Sequence, residues 1–176
     1  MNCSAVSRCF ALALAIAAAT AAVNADEPTA RPAFTTETIA GRVVFAGDAM
    51  QRLFNVKLLD DAKERVLVVE TPQGQLHPLA EDTRGGAFRL DPRLMGVPVK
   101  LLVRRHEGSP LVQVIRLHFV EEGRVVLVDY WCDICSIPMV ELKPCDCCQG
   151  PIRLRKRPLD AHGDPLPEQQ TTDEPQ

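Results

Sequence analysis

Apolar and polar positions alternate with a period of two through the middle of the chain. Gly41-Arg-Val-Val-Phe-Ala46 is a β-branched run closed by Gly47-Asp48, and Val56-Lys-Leu-Leu59 ends at Asp60-Asp61. Val66-Leu-Val-Val-Glu70 runs into Thr71-Pro-Gln-Gly74, and Leu76-His-Pro-Leu79 returns. Proline presets φ in a β-turn and glycine closes it, so 66–79 reads as a hairpin with Pro78 at an edge or strand end. Val97, Val99, Leu101 and Val103 share one face of a further strand. Leu111, Ile115, Leu117 and Phe119 share a face of the next, after the turn Glu107-Gly-Ser-Pro110. Glu121-Glu-Gly123 turns the chain again, and Arg124–Tyr130 is a last strand. Such alternation marks half-buried strands. It breaks over Ala80–Met95, where Arg84-Gly-Gly86 is a loop and Asp91-Pro92 pairs a helix cap with proline at the first helical position. Short helical turns are expected there.

Three strands, a short helical connection and a second group of strands therefore occupy 41–130. The fold class predicted is mainly β, and the order resembles the OB-fold, a small five-stranded barrel. Another small β-barrel or part of a sandwich would also satisfy the pattern.

The two ends differ from this middle. Arg8 is followed by an apolar run, Phe10–Val23, and by Val23-Asn24-Ala25, a small-x-small site. Charged start, apolar stretch and small-residue site together describe a cleavable signal peptide over 1–25. The run of 14 residues is shorter than the roughly 20 needed to span a bilayer. An exported protein, periplasmic or secreted, is expected, with no integral membrane segment after cleavage. Residues 26–40 read as a flexible leader. Residues 158–176 carry five acids and four prolines with no Lys or Arg, and read as a disordered acidic tail.

Cleavage leaves 19 Lys+Arg against 23 Asp+Glu. A chain without net positive charge has no general pull on nucleic acid, and export argues the same way. The partner expected is instead one of the envelope or the extracellular space.

Five cysteines follow the signal peptide, all between Cys132 and Cys148. Cys132, Cys135, Cys145 and Cys148 form C-x2-C-x9-C-x2-C. Two residues between thiolates let a tight knuckle aim both sulfurs at one point, and two such knuckles supply four ligands to a tetrahedral Zn2+. The 131–157 segment thus reads as a zinc-knuckle-like metal site, with iron of the rubredoxin type as the alternative metal. No glycine directly follows Cys135 or Cys148, so the rubredoxin likeness is partial. An oxidising compartment also allows structural disulfides or a redox-active dithiol. Cys147 is an alternative ligand or a free thiol. Tyr130 and Trp131, the only tyrosine and tryptophan, abut Cys132 and serve either as a shield for the site or as a stacking surface. Lys143, Arg153, Arg155, Lys156 and Arg157 either offset thiolate charge or line an exposed strand edge.

The residues from about Val66 to Arg155 resemble a group of exported bacterial proteins of unknown function. These share a short β-barrel, a Tyr-Trp/Tyr-Cys-x-x-Cys segment and the ending seen here as Cys145-Asp-Cys-Cys-Gln-Gly-Pro151. The resemblance implies no activity, and implies a role for Cys147 beside the four paired cysteines. His77, His106 and His118 are scattered, and no nucleophile, phosphate-loop or dinucleotide motif is present. The sequence predicts a non-enzymatic binding or interaction protein with a structural zinc site. The alternative is a redox protein, either a thiol–disulfide module or an iron–thiolate electron carrier.

Overall fold

The structure, a computed structural model, describes residues 33–167. The expected signal peptide, residues 26–32 of the leader and residues 168–176 lie outside the described residues. Strand β1 (Phe34–Phe45) organises the sheet. Ile39 and Val43 are buried while Ala40 and Arg42 are exposed, the alternation of a strand with one face on a core. Both of its edges are paired antiparallel, one to β2 (Leu67–Glu70) and the other to β4 (Pro98–His106). β2 pairs with β3 (Leu76–Pro78), and β4 with β5 (Val112–Glu121). β5 then pairs with β6 (Arg124–Cys132). The chain is mainly β, with strand order β3-β2-β1-β4-β5-β6. One parallel bridge, Leu79 to Val112, links the end of β3 to the start of β5. Beyond that bridge the sheet is not closed.

Helix α1 (Ala46–Phe54) follows β1, and α2 (Thr83–Leu90) lies between β3 and β4. The Asp82 carboxylate accepts from the amides of Arg84 and Gly85 to start α2. Asp91 does the same for the 3-10 turn Pro92–Leu94, accepting from the Arg93 amide, as the Asp-Pro pair predicts. Phe88 and Leu94 from this connection join Val43, Leu67, Leu101 and Val103 in the main core.

Several expectations are corrected. Phe34–Ala40, expected in the leader, is the first half of β1 and pairs with β4 from His106 to Lys100. Gly47-Asp48, expected to be a turn, opens α1. Good helix formers follow, Asp48 sits in the first turn and Arg52 in the last, where each suits the helix dipole. Gly47 is needed because a Cβ there would lie 2.6 Å from the Lys63 Cα. Val56–Leu59 is no strand, because β2 and β4 already hold both edges of β1. On β5 the expected inward face holds at Leu117 and Phe119 but not before them. Val112 and Val114 are buried, a bulge opposite Leu102/Val103 takes up Ile115, and Phe119 then returns to the core. One extra residue shifts the side chains to the other face, which leaves Leu111 exposed.

Two further strands attach to β6. β7 (Ile137–Met139) pairs with Tyr130–Cys132, and β8 (Arg153–Pro158) pairs with Val126–Trp131. A strand has two edges, so β8 takes one while β5 and β7 share the other, end to end. After β8 the chain does not become featureless at once. Asp160 accepts from the amides of His162 and Asp164, and the Leu166 amide donates to the Pro158 carbonyl. An Asp side chain bonding its own backbone shapes this turn without a core of its own.

The Tyr130 hydroxyl donates to Asp91 at 2.7 Å, between two residues that are each 2% exposed or less. The Arg93 guanidinium and this hydroxyl hold the Asp91 carboxyl down to about 2, below the usual carboxylate range. Because the folded state lowers this pKa, the stabilisation is complete above about pH 4 and is lost as pH falls toward 2. Tyr130→Phe should cost about 1.5–3 kcal/mol in urea unfolding at pH 7. The difference from wild type should shrink at pH 2–3. A loss below 0.5 kcal/mol at pH 7 would show that the bond is not an anchor.

Candidate metal centre

β6 delivers Cys132 at its end, the turn to β7 carries Cys135, and the loop between β7 and β8 carries Cys145 and Cys148. The structure brings together the four sulfurs that the spacing selects, all within 4.8 Å of one another. Sulfurs at 2.3 Å from one tetrahedral zinc would stand about 3.8 Å apart. The Cys132 and Cys148 sulfurs are 3.5 Å apart, and all five described cysteines are unbridged. Cys132 and Cys145 are buried, whereas Cys135 and Cys148 reach partway to the surface. Among the described residues no histidine or carboxylate joins the four.

The two knuckles are built alike. In the first, the Ser136 amide donates to the Cys132 carbonyl at 2.8 Å; in the second, the Gln149 amide donates to the Cys145 carbonyl at 2.9 Å. Ser136 has φ 55° and Gln149 φ 58°, so the residue after each pair is left-handed. Glycine suits that conformation, and neither position has one. The turn is adopted all the same, at a cost for an L residue of about 1–2 kcal/mol each. Backbone amides then face sulfur. The Cys135 amide lies 3.5 Å from the Cys132 sulfur and the Gly150 amide 3.4 Å from that of Cys148. Amides of Cys148 and Cys147 lower the Cys145 thiol to about 7. At Cys145 the thiolate form that a metal requires is thus favoured by the turn itself, while the neighbouring sulfurs hold the Cys132 and Cys135 thiols up. Gly150 has its own reason: a Cβ there would meet the Ile134 side chain at 2.9 Å and the Cys148 sulfur at 3.2 Å.

Cys147 is exposed and is not among the four. Its thiol lies beside the Cys135 sulfur, and this neighbour, with Cys148, pushes the Cys135 thiol up. Tyr130 and Trp131 part company because successive strand residues face opposite ways. Tyr130 packs with Cys132, Met139 and Cys145 in a second small core. Trp131 lies on the other face, with the Arg155 guanidinium 3.8 Å over its ring. It is therefore not part of the shield around the sulfurs.

The nearby cations have carboxylate partners. Lys143 meets Glu141 at 2.8 Å and Asp146 at 3.2 Å. Arg153 pairs with Asp133, Lys156 with Glu121, and both Arg155 and Arg157 with Asp129. Sequence reasoning did not find β8, because Arg153-Leu-Arg-Lys-Arg157 reads as a run of charge. Its one apolar residue was the available signal: Leu154 packs against both the main core and the sulfur-side core.

Relieving the left-handed strain should be measurable. Ser136→Gly and Gln149→Gly should each raise stability by up to about 1 kcal/mol in the metal-loaded protein, with chelator resistance unchanged or higher. Destabilisation by both would mean that the side chains make contacts worth more than the strain.

Compared with protein-family models, with curated proteins and with solved structures, the chain matches none of them.

Proposed function

We propose that this chain is an exported, non-enzymatic binding protein in which a structural tetrathiolate zinc centre is built onto an OB-like barrel. The observation that carries the metal reading is the convergence of four sulfurs from two duplicate knuckles within 4.8 Å. Four protein ligands complete a tetrahedral zinc shell and leave no position for a reacting water, the mark of a structural site. Cys132, Cys135, Cys145 and Cys148 would hold the ion. The sulfur-side core is small, so metal binding would supply most of the folding energy of the 131–157 region.

The barrel reading rests on strand order. β1 pairs with β2 and β4, a helical connection separates β3 from β4, and Leu79 bridges to Val112. That is the layout of a partly open five-stranded barrel. Export rests on the N-terminal pattern of charge, apolar run and small-residue site. The resemblance to exported bacterial proteins with the same cysteine ending favours this location too.

A rubredoxin-like iron–thiolate electron carrier is the second reading. Two knuckles with amides aimed at sulfur would suit it, as would the partial exposure of Cys135 and Cys148.

Metal analysis of the purified chain separates the two. Zinc near one per chain is expected. Serine at any of the four ligand cysteines should abolish tight binding and make the region beyond Trp131 protease-sensitive, while Cys147→Ser should keep the metal. Visible iron–thiolate absorbance would select the electron carrier. Absence of both metals, with the cysteines paired as disulfides, would overturn the metal reading.

A further inference from the structure

The basic residues of this chain fall into two sets. Most hold a carboxylate. Among the described residues, Arg42, Lys57, Arg84, Lys100, Arg104 and Arg116 make no ion pair. The register places four of these six together. Side chains directly opposite one another in a sheet share a face. Lys100 lies opposite Ala40 and His118, Leu102 opposite Thr38 and Arg116, and Arg104 opposite Thr36 and Gln113. Arg42 stands opposite Pro98 on the same outward face.

Between Arg42 and Arg104 the outer positions of β1, β4 and β5 thus carry four cations and His118, and the one carboxylate beside them on this face is Glu70 of β2, opposite Arg42 at one end of the stripe. Arg84, at the start of α2, feels the charge of Arg116, and burial, then Arg116 and Lys100, disfavour a proton on His118. The nearest acids have other hydrogen-bonding partners, although Glu70 also feels the charge of Arg42. Glu70 is gripped by Arg52, and Asp82 caps α2 and accepts from Gln113. Like charges grouped on one face without counter-charges cost stability, and an anion from outside would relieve that cost.

The cations are also spaced. Successive outward positions on a strand lie about 6.8 Å apart. Arg42, Lys100, Arg116 and Arg104 occupy four successive rows, so the stripe runs for about 20 Å. Arg42 and Lys100 line one groove of about 770 Å3 together with small or apolar residues such as Ala40, Gly41 and Val120, with the Arg52–Glu70 ion pair also in its lining.

We infer that the outer face of β1, β4 and β5 is a docking surface for a linear anionic polysaccharide, whose repeated carboxylates would meet Arg42, Lys100, Arg116 and Arg104 in turn. Charge complementarity selects a polyanion. Thr36 and Thr38 stand between the cations and can bond sugar hydroxyls. Single-stranded nucleic acid would want stacking aromatics. Among the described residues, Phe34 at the end of this face is covered by the Arg104 guanidinium at 4.8 Å and packs against the His106 ring, which leaves His118 as the one ring along the stripe and no run of stacking platforms. A lipid surface would want exposed apolar side chains among the cations, and Leu102 and Val120 are half-buried. The inference rests on the proposed binding role and is independent of the metal.

Binding of the full chain to a polygalacturonate oligosaccharide at low ionic strength tests it. Neutral dextran, a single-stranded DNA oligomer and phosphatidylglycerol vesicles are the comparison probes. Wild type should prefer polygalacturonate and lose affinity as salt rises. Lys100→Glu with Arg116→Glu should weaken binding about tenfold or more, and Lys100→Gln with Arg116→Gln by less. Lys57→Glu, an unpaired base off this face, should stay within about twofold. Unchanged zinc content and melting temperature in these variants would show that neither fold nor metal site was disturbed. Equal losses in Lys57→Glu, a preference for DNA or vesicles, or no binding to polygalacturonate would overturn the inference, while leaving the metal reading to its own measurement.

Discussion

A strand has two edges and two faces, and β6 uses all four. One edge carries β8; the other carries β5 and then β7. Its buried face gives Val128 to the main core and Tyr130 and Cys132 to the sulfur-side core. Its opposite face gives Asp129 and Trp131 to the arginines of β8. The Tyr130–Asp91 hydrogen bond fastens this strand to the helical connection between β3 and β4. Removing Asp91 would leave the buried Tyr130 hydroxyl unsatisfied, whereas removing the hydroxyl would leave Asp91 to Arg93 alone. The cysteine region is therefore continuous with the sheet, with no linker between them.

Much of this was legible in the sequence because it rests on local chemistry. The 66–79 hairpin followed from proline and glycine in its turn, the Asp91 cap from Asp-Pro, and the four converging cysteines from their spacing. What was not legible depends on partners far away in the chain. The bulge at Ile115 is set by the register against β4, so residue alternation alone put Leu111 on the wrong face. The leader residues Phe34–Ala40 become strand only because β4 offers an edge. Helix α1 was masked by Gly47-Asp48, which has turn composition but sits where the backbone passes Lys63 closely.

The knuckles show a different limit. The missing glycines after Cys135 and Cys148 weaken a likeness to iron–thiolate sites when judged by residue type. Judged by conformation the likeness is stronger, since Ser136 and Gln149 both adopt the left-handed turn that a glycine would adopt without strain. Composition reports what is easiest at a position. The hydrogen bonds to the Cys132 and Cys145 carbonyls report what the surrounding structure enforces.

The whole chain carries a formal charge of −3 at pH 7, yet four of the six described cations without carboxylate partners stand on one side of one sheet. Average charge and local charge therefore have opposite signs. An uneven charge distribution of this kind can orient a molecule toward a charged surface before contact. On a cation-exchange resin it would be held by one side while its overall charge favours release, so its elution would be governed by orientation more than by net charge.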